Sequence, residues 1–346
     1  MAEPIALSLQ NDHLAVQICN VGASIVSVEV PNRSGCRENV CLPLGDPANP
    51  QTLHRYRENG SNFGAVVGRF ANRIGGASFE LDGTRYELEA NNSRNNLHSG
   101  SSNVAGMDWE CIEQDDTHVR LRVVSPDGAG GFPGEVTIEA TYTLDGPTLL
   151  LRYTARTTAP TVVNLTNHAY WNLAGVTCDA AGCSVPHDVR DHVLHLHADR
   201  RLAVDDNILP TGEIVPVKET PFDFTSPRTI GATWERQSGY DHCFVVNEAG
   251  SSPTRFGGLR SVGSIVDPAS GRRMTLHGSQ PGVQFYTANH FCGSPGDNGF
   301  KAFEGLAIEG ENFPDAPNQP SFPTSVLRPG ETYDHAMAYT FTVDRT

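Results

Sequence analysis

The sequence has no excess of positive charge. Lysine and arginine together number 25 against 40 aspartates and glutamates, so the formal net charge is -15. This balance disfavours nucleic acid and anionic membrane surfaces as partners, because both are bound mainly through basic side chains. The negative net charge also disfavours a strongly anionic substrate, whereas it is compatible with a neutral ligand.

Long apolar runs are also missing. No stretch approaches the length that a membrane-spanning helix requires. The N-terminal residues do not combine a basic segment with a long apolar core, which is the pattern of a signal peptide. We therefore expect a cytoplasmic protein that does not bind membranes.

The cysteines contain no C-x-x-C pair, and their spacings are irregular. Disulfide frameworks belong mainly to short secreted chains, so we expect reduced, mostly buried thiols. The eight positions are Cys19, Cys36, Cys41, Cys111, Cys178, Cys183, Cys243 and Cys292.

Helical periodicity sustained over three turns is absent, and the chain is rich in turn residues, with 34 glycines and 23 prolines. Apolar and polar residues alternate on both sides of Asp-Gly pairs at 82–83 and 145–146, which predicts two hairpins. Residues 31–62 have the composition of a loop, and residues 226–237 are the best candidate for a short helix. The remaining strands are predicted over residues 5–30, 118–124, 193–198, 244–247, 273–277, 283–288, 306–309 and 335–343.

No repeat and no low-complexity linker divides the chain. Residues 1–346 are therefore expected to form a single all-β domain. Because sheet edges must close or pair, a large antiparallel β-sandwich is the natural architecture.

Polar side chains concentrate in five segments at the ends of predicted strands. The central segment, 162–175, places Asn167, His168, Tyr170, Trp171 and Asn172 together. Amides, an imidazole and aromatic faces suit a site that holds a sugar ring and moves a proton on it. A buried polar turn is the alternative. The other four segments are residues 64–74, 91–100, 239–242 and 308–320.

Glu309 closes the predicted core strand 306–309. Partial desolvation there raises the pKa of a carboxyl group and makes it a better base. Structural alternatives remain for the polar candidates at this point: a turn carboxylate for Glu309, a surface ion pair for Arg73 and a strand-start residue for Asp241.

Two further patterns are discounted. His192, His195 and His197 lie close in sequence, but a metal site needs more ligands in a matching geometry, and we expect no metal. Residues 125–134 are rich in glycine but lack the Lys-Ser/Thr of a phosphate loop. They are expected to form a loop, and this loop is one candidate to line the site.

The ordered set of segments resembles the aldose 1-epimerase (galactose mutarotase) family. The set spans nearly the whole chain and is specific as a set, although each segment alone is weak. The matching segments are GRFANRI (68–74), NNLHSG (95–100), SPDG (125–128), GFPG (131–134), NLTNHAYWNL (164–173), PTGE (210–213), FDF (222–224), YDH (240–242), QPGVQFYT (280–287) and EGENFPDAPNQPSFP (309–323).

The resemblance implies a β-sandwich enzyme that interconverts the α and β anomers of a free aldose such as galactose or glucose, without a cofactor. It implies that Glu309 takes the proton of the C1 hydroxyl and that His168 protonates the ring oxygen. His98 matches a second histidine near these oxygens. The substrate-binding positions implied by the resemblance are Asn72, Arg73, Asp241 and Gln284.

One position departs from the family pattern. Glu311 stands where the family commonly has glutamine, and a second carboxyl group so near Glu309 would raise the pKa of one of the pair. This puts the sugar preference in doubt more than the reaction. Trp171 is a candidate plate for the sugar ring or a core residue, whereas Phe285 is expected in the core.

Other functions are weighed against the mutarotase. A hexose-phosphate epimerase would need a basic cluster, and only Arg73, with Arg69 or Arg94, is available. A non-catalytic sugar-binding module would be expected to have lost Glu309 or His168. A glycosidase pairing Glu309 with Glu311 or Asp315 is disfavoured, because carboxyl groups two residues apart on one strand cannot flank a glycosidic bond. The partner is expected to be a monosaccharide, and the protein a monomer or a homodimer.

Overall fold

The computed structural model describes residues 3–179, 182–234, 239–248 and 258–344. Strands dominate these ranges, and the helical segments are all of the 3₁₀ type. None of these segments has the length and hydrophobicity of a membrane span. The 3₁₀ segments are Pro50–Glu58, Gly75–Ala77, Gly100–Ser102, Val104–Gly106, Ala129–Gly131, Val189–Asp191, Ile230–Thr233, Pro295–Asp297 and Ala316–Asn318.

The strands are, in chain order, β1 (Ala6–Gln10), β2 (Ala15–Cys19), β3 (Ser24–Pro31), β4 (Arg37–Cys41), β5 (Val66–Val67), β6 (Arg73–Ile74), β7 (Ser78–Leu81), β8 (Thr84–Glu87), β9 (Asn96–Leu97), β10 (Glu110–Gln114), β11 (His118–Ser125), β12 (Val136–Asp145), β13 (Thr148–Thr157), β14 (Thr161–Val162), β15 (Thr166–Asn167), β16 (Tyr170–Asp179), β17 (Gly182–Ser184), β18 (Val193–Leu196), β19 (Arg200–Val204), β20 (Pro210–Pro216), β21 (Arg228–Thr229), β22 (Asp241–Val245), β23 (Arg260–Val266), β24 (Arg272–Gly278), β25 (Gly282–Tyr286), β26 (Leu306–Glu311), β27 (Val326–Leu327) and β28 (Tyr333–Val343).

Two large antiparallel sheets face each other across one core. The first has the order β1-β2-β3-β4-β16-β26-β25-β22-β19-β20, with β17 attached to β16, and the second has the order β10-β11-β12-β13-β28-β24-β23-β18-β21. Strand β12 shows the alternation that a sandwich requires, since Val136, Ile138, Ala140 and Tyr142 are all buried. The all-β sandwich expected from the sequence is therefore confirmed.

The central strands of the first sheet are covered on both faces. Every residue of β25 and β26 is buried. Phe285 and Ile308 belong to the core between the sheets, as expected for Phe285, whereas Tyr286 and Ala307 belong to a second cluster on the opposite face. Successive side chains of a strand point to opposite faces, so this opposite face is where polar residues of β25 and β26 gather.

Both Asp-Gly hairpins form as predicted, with β7 paired to β8 and β12 paired to β13. The loop expected over residues 31–62 is wrong in part, because β4 lies within it and joins β3 to β16. The polar residue Glu38 obscures the pattern of this strand in the sequence. It can lie at the edge of the core because it pairs with the guanidinium of Arg272.

The short helix expected over residues 226–237 is also not found in the described part of that segment. Arg228–Thr229 pairs with β18 as a strand, and a 3₁₀ turn follows at Ile230–Thr233. Residues 235–238 lie outside the described ranges.

The expectation that all cysteines are reduced is wrong at one pair. Cys178 and Cys183 form a disulfide. They lie opposite each other in the register of β16 and β17, so the pairing of the strands, and not a spacing motif, brings the two sulfurs together. The expectation of burial holds for half of the free thiols: Cys19, Cys41 and Cys243 are buried, whereas Cys36 and Cys292 are exposed.

Candidate active site

One pocket of about 260 Å³ opens on the outer face of the first sheet. This is smaller than the roughly 300–1,000 Å³ of sites for drug-sized ligands and suits one small polar molecule. The seven side chains singled out in the sequence as site residues all line it: Asn72, Arg73, His98, His168, Asp241, Gln284 and Glu309.

Strand alternation places Glu309 and Gln284 in this pocket. The two residues are directly opposite each other in the register of β25 and β26. Their chain neighbours Ile308 and Phe285 fill the core, so Glu309 and Gln284 must point the other way. Only about 3% of either residue is exposed.

His168 lies between β15 and β16, and its backbone is held on both sides. Its N–H donates to the carbonyl of Ala65, and its own carbonyl accepts from Gly64. The side-chain amide of Asn167 also donates to the Gly64 carbonyl, at 2.7 Å. This anchoring sets His168 Nε2 at 3.7 Å from Glu309 Oε1.

Burial shifts both members of this pair toward their neutral forms. It lowers the pKa of His168 to about 4. Burial also raises the pKa of Glu309 well above its usual range, and the nearby carboxyl groups of Glu311 and Asp241 raise it further. Both groups are therefore poised to exchange protons and not to remain a fixed ion pair.

His98 and Asn72 form a second unit, and both have positive φ angles. The backbone N–H of Asn72 donates to His98 Nδ1 at 3.1 Å. Since Nδ1 accepts, a neutral His98 carries its proton on Nε2. Burial, followed by the neighbouring His168 and Arg73, lowers the pKa of His98 well below its usual value. His98 is thus a neutral N–H donor at the pocket.

Asp241 organises the other polar edge of the pocket. Its Oδ1 accepts from Gln284 Nε2 at 2.5 Å, and its Oδ2 lies 3.8 Å from the Arg73 guanidinium. The Gln284 Oε1 is buried and has no hydrogen-bond partner among the described residues. This edge combines an amide, a carboxylate and a guanidinium, which together donate to and accept from hydroxyl groups.

The aromatic residues of the pocket agree only in part with those considered in the sequence. Trp171 is a core residue whose ring is tilted against that of Tyr339 at 5.1 Å, because it lies on the face of β16 that points between the sheets. Tyr170, which the sequence placed in the central segment, lines the pocket together with Tyr286 and Phe291. Tyr286 was missed, although it lies two residues after Gln284 and so shares its face. Asp297 and His290 also line the pocket, and no local motif marks them.

The glycine-rich loop 125–134 does not line the pocket. It wraps around Arg69, whose guanidinium donates to the carbonyls of Ser125, Pro126, Pro133 and Gly134. Only 1% of Arg69 is exposed. Arg69 is therefore occupied by the fold and does not reach a ligand.

A histidine cluster lies away from the pocket. His187, His192 and Asp267 each place one ligand atom within 4.8 Å of the others, whereas His195 and His197 are not part of the group. The Nε2 of His192 accepts the N–H of Leu173 at 3.0 Å. A neutral imidazole has only one free lone pair, so His192 has none left for a metal.

Comparison with known proteins agrees with this geometry. The family model for aldose 1-epimerase matches residues 6–340. The human galactose mutarotase is 38% identical over 340 residues, which cover 97% of this chain and 93% of the human protein. The chain belongs to the aldose 1-epimerase family. It is therefore an isomerase that acts on carbohydrates.

Two further relatives support the assignment. The aldose 1-epimerase of Escherichia coli strain K12 is 30% identical over 347 residues, covering 97% of this chain and 94% of that protein. The crystal structure of an aldose epimerase homologue from C. elegans superposes with a TM-score of 0.87 at 27% identity, covering 98% of this chain and 99% of that one. The family's sandwich is thus present over nearly the full length.

Proposed function

We propose that this epimerase interconverts the anomers of a free hexose such as D-galactose or D-glucose, with Glu309 as the general base and His168 as the general acid. The observation that carries the proposal is the 3.7 Å approach of His168 Nε2 to Glu309 Oε1 in a buried pocket. Ring opening acts on two oxygens of one carbon, so an acid and a base close together are what it requires.

The proposed steps move two protons and break one bond. The Glu309 carboxylate takes the proton of the C1 hydroxyl, and the bond from C1 to the ring oxygen breaks with its electron pair moving to that oxygen. Protonated His168 gives its proton to the ring oxygen. The C1 aldehyde then rotates about its bond to C2, and closure on the other face reverses both transfers.

Burial favours the proton arrangement of the open-chain stage. When the ring is open, Glu309 is protonated and His168 is neutral, which is the form that a raised pKa of Glu309 and a lowered pKa of His168 both favour. The cyclic sugars are bound with the charged forms. The pocket therefore stabilises the product of ring opening relative to the ground state, which lowers the barrier to reaching it.

The remaining site residues are proposed to hold the sugar. His98 offers an N–H to the ring or C1 oxygen because its Nδ1 already accepts from Asn72. Arg73, Asp241 and Gln284 line the same pocket and suit hydroxyl groups. Charged and bidentate groups of this kind reject a sugar that lacks the matching hydroxyl.

A hexose phosphate is a less suitable substrate. Among the described residues, Arg73 is the only lysine or arginine that lines the pocket, whereas Asp241, Asp297 and Glu309 are three carboxyl groups there. Arg69 is engaged by loop 125–134. A phosphate group would meet more negative than positive charge, which opposes its binding.

Polarimetry on freshly dissolved α-D-galactose and α-D-glucose tests the proposal. The wild-type protein should accelerate the approach to anomeric equilibrium, and the ratio of rates gives the preference between the two sugars. Acceleration of a hexose phosphate but of neither free sugar would contradict the proposal. Binding of sugar without acceleration would instead favour a sugar-binding module.

A cytoplasmic location and a monomeric or homodimeric state stay predictions, to be tested by cell fractionation and light scattering.

A further inference from the structure

Glu311 is a buried carboxyl group that does not touch the pocket. Its exposure is 0%, and it is absent from the pocket lining, which includes Asn72 and Glu309. It lies on β26 opposite Gly282 of β25, in regular register with the pair formed by Glu309 and Gln284. Two residues along a strand put Glu311 on the same face as Glu309, about 7 Å away.

The surroundings of Glu311 explain how a charge is held there. The Asn72 amide donates to Glu311 Oε1 at 2.9 Å, while Oε2 has no partner among the described residues. An apolar cluster that includes Cys243 and Phe313 borders this position. The Oε2 of Glu309 likewise has no partner among the described residues, but its Oε1 lies 3.7 Å from His168 Nε2, which is beyond hydrogen-bond distance. A hydrogen bond favours the ionised form, so Glu311 ionises before Glu309.

We propose that Glu311 is a positioning residue of the epimerase, which anchors the amide of Asn72 from beneath the pocket and whose negative charge makes Glu309 a stronger base. This inference rests on the proposed function. Burial raises the pKa of Glu311 to about 8, and the charge of Glu311 adds to burial in raising the pKa of Glu309. A base with a higher pKa takes the C1 proton more readily once it is ionised.

The other groups around the two carboxyls do not titrate in the same range. Burial raises the pKa of the tyrosines near them and of Cys243, so these stay neutral, and it lowers the pKa values of His168 and His98. Arg73 and Asp241 contribute one charge of each sign. Changes in activity near pH 8 are therefore assigned to the coupled carboxyl groups of Glu309 and Glu311. The tyrosines are Tyr170, Tyr286, Tyr333 and Tyr339.

The test separates charge from hydrogen bonding. Glu311→Gln keeps an oxygen that accepts from Asn72 but removes the charge, whereas Glu311→Leu removes both. In Glu311→Gln, the acidic limb of the profile of kcat/KM against pH should shift to lower pH by about one unit or more. The kcat on the plateau should fall about threefold because the base is weaker. Glu311→Leu should also raise KM, since Asn72 loses its anchor. The matched control is Glu80→Gln on the exposed side of β7.

Two outcomes would overturn the inference. One is an acidic limb in Glu311→Gln that coincides with those of the wild type and Glu80→Gln. The other comes from a titration of ¹³C-labelled glutamate carboxyls by NMR, which needs no activity. The wild type should show two glutamates that titrate well above the usual range of glutamate, and Glu311→Gln and Glu309→Gln one each. Wild-type glutamates that all titrate in the usual range would refute the inference. If the wild-type protein had no activity, only the proposed function would be contradicted. The NMR titration would still test the inference about Glu311, because it does not depend on activity.

Discussion

His168 Nε2 and Glu309 Oε1 approach to 3.7 Å, and the two side chains are only 7% and 3% exposed. The histidine comes from the connection between β15 and β16, and the glutamate comes from within β26, so 141 positions of the sequence (309 − 168) separate them. The pair joins a rigid strand to an anchored turn. This arrangement limits how far either group can move during proton transfer.

Removing either member of the pair should abolish most of the activity. Glu309→Gln and His168→Asn are each expected to lower kcat about 10²–10⁴-fold, the range of a single acid or base contribution. Polarimetry measures the loss, and circular dichroism checks the fold. Near-wild-type rates in a folded Glu309→Gln protein would remove Glu309 from the mechanism.

Glu311 should make stability depend on pH. Its folded-state pKa of about 8 lies above the 4.5 of an ordinary glutamate. Its contribution to stability is therefore fully present below about pH 4.5 and is lost as the pH rises through about 8. We expect the Tm of the wild type to fall by several degrees more between pH 5 and 9 than that of Glu311→Gln. Glu80→Gln serves as the control. Parallel curves of Tm against pH for the wild type and Glu311→Gln would contradict a raised pKa of the buried Glu311 carboxyl group.

Arg69 should matter for stability and not for sugar binding. Arg69→Met leaves the carbonyls of Ser125, Pro126, Pro133 and Gly134 without their donor. We expect a loss of about 2–4 kcal/mol in the free energy of unfolding, measured with urea, and little change in KM. Arg94→Met, on the exposed surface, should cost less than about 0.5 kcal/mol. A large rise in KM without loss of stability would place Arg69 at the ligand instead.

Two aromatic residues should separate packing from binding. Trp171 packs against Tyr339 and Phe341 in the core, so Trp171→Ala should cost about 3–5 kcal/mol of stability. Tyr286 lines the pocket, so Tyr286→Leu should mainly raise KM for the sugar. Urea unfolding and polarimetry on both variants give the comparison. The reverse pattern would return the sugar-stacking role to Trp171.

Local chemistry made part of the fold predictable. The hairpins at 82–83 and 145–146 follow from Asp-Gly turns flanked by alternating residues, and both signals lie within about ten residues. Strand β4 escaped because its Glu38 is satisfied by Arg272, which lies in β24. A partner so far along the chain leaves no mark in the local pattern. The disulfide between Cys178 and Cys183 was missed for a related reason, since a strand register creates it.

The sequence by itself determined the chemistry that is available: alternating strands with turn residues, an ordered set of motifs, and the residues Glu309, His168 and His98. Only the tertiary structure decided which of these groups meet and which tyrosines line the pocket. The tertiary structure also decided that Trp171 packs in the core and that Arg69 holds loop 125–134. It also decided that Glu311 lies beneath the site with no access to solvent. The physical reason is that burial and distance arise from the packing of strands far apart in sequence, and these two quantities set the pKa values on which proton transfer depends.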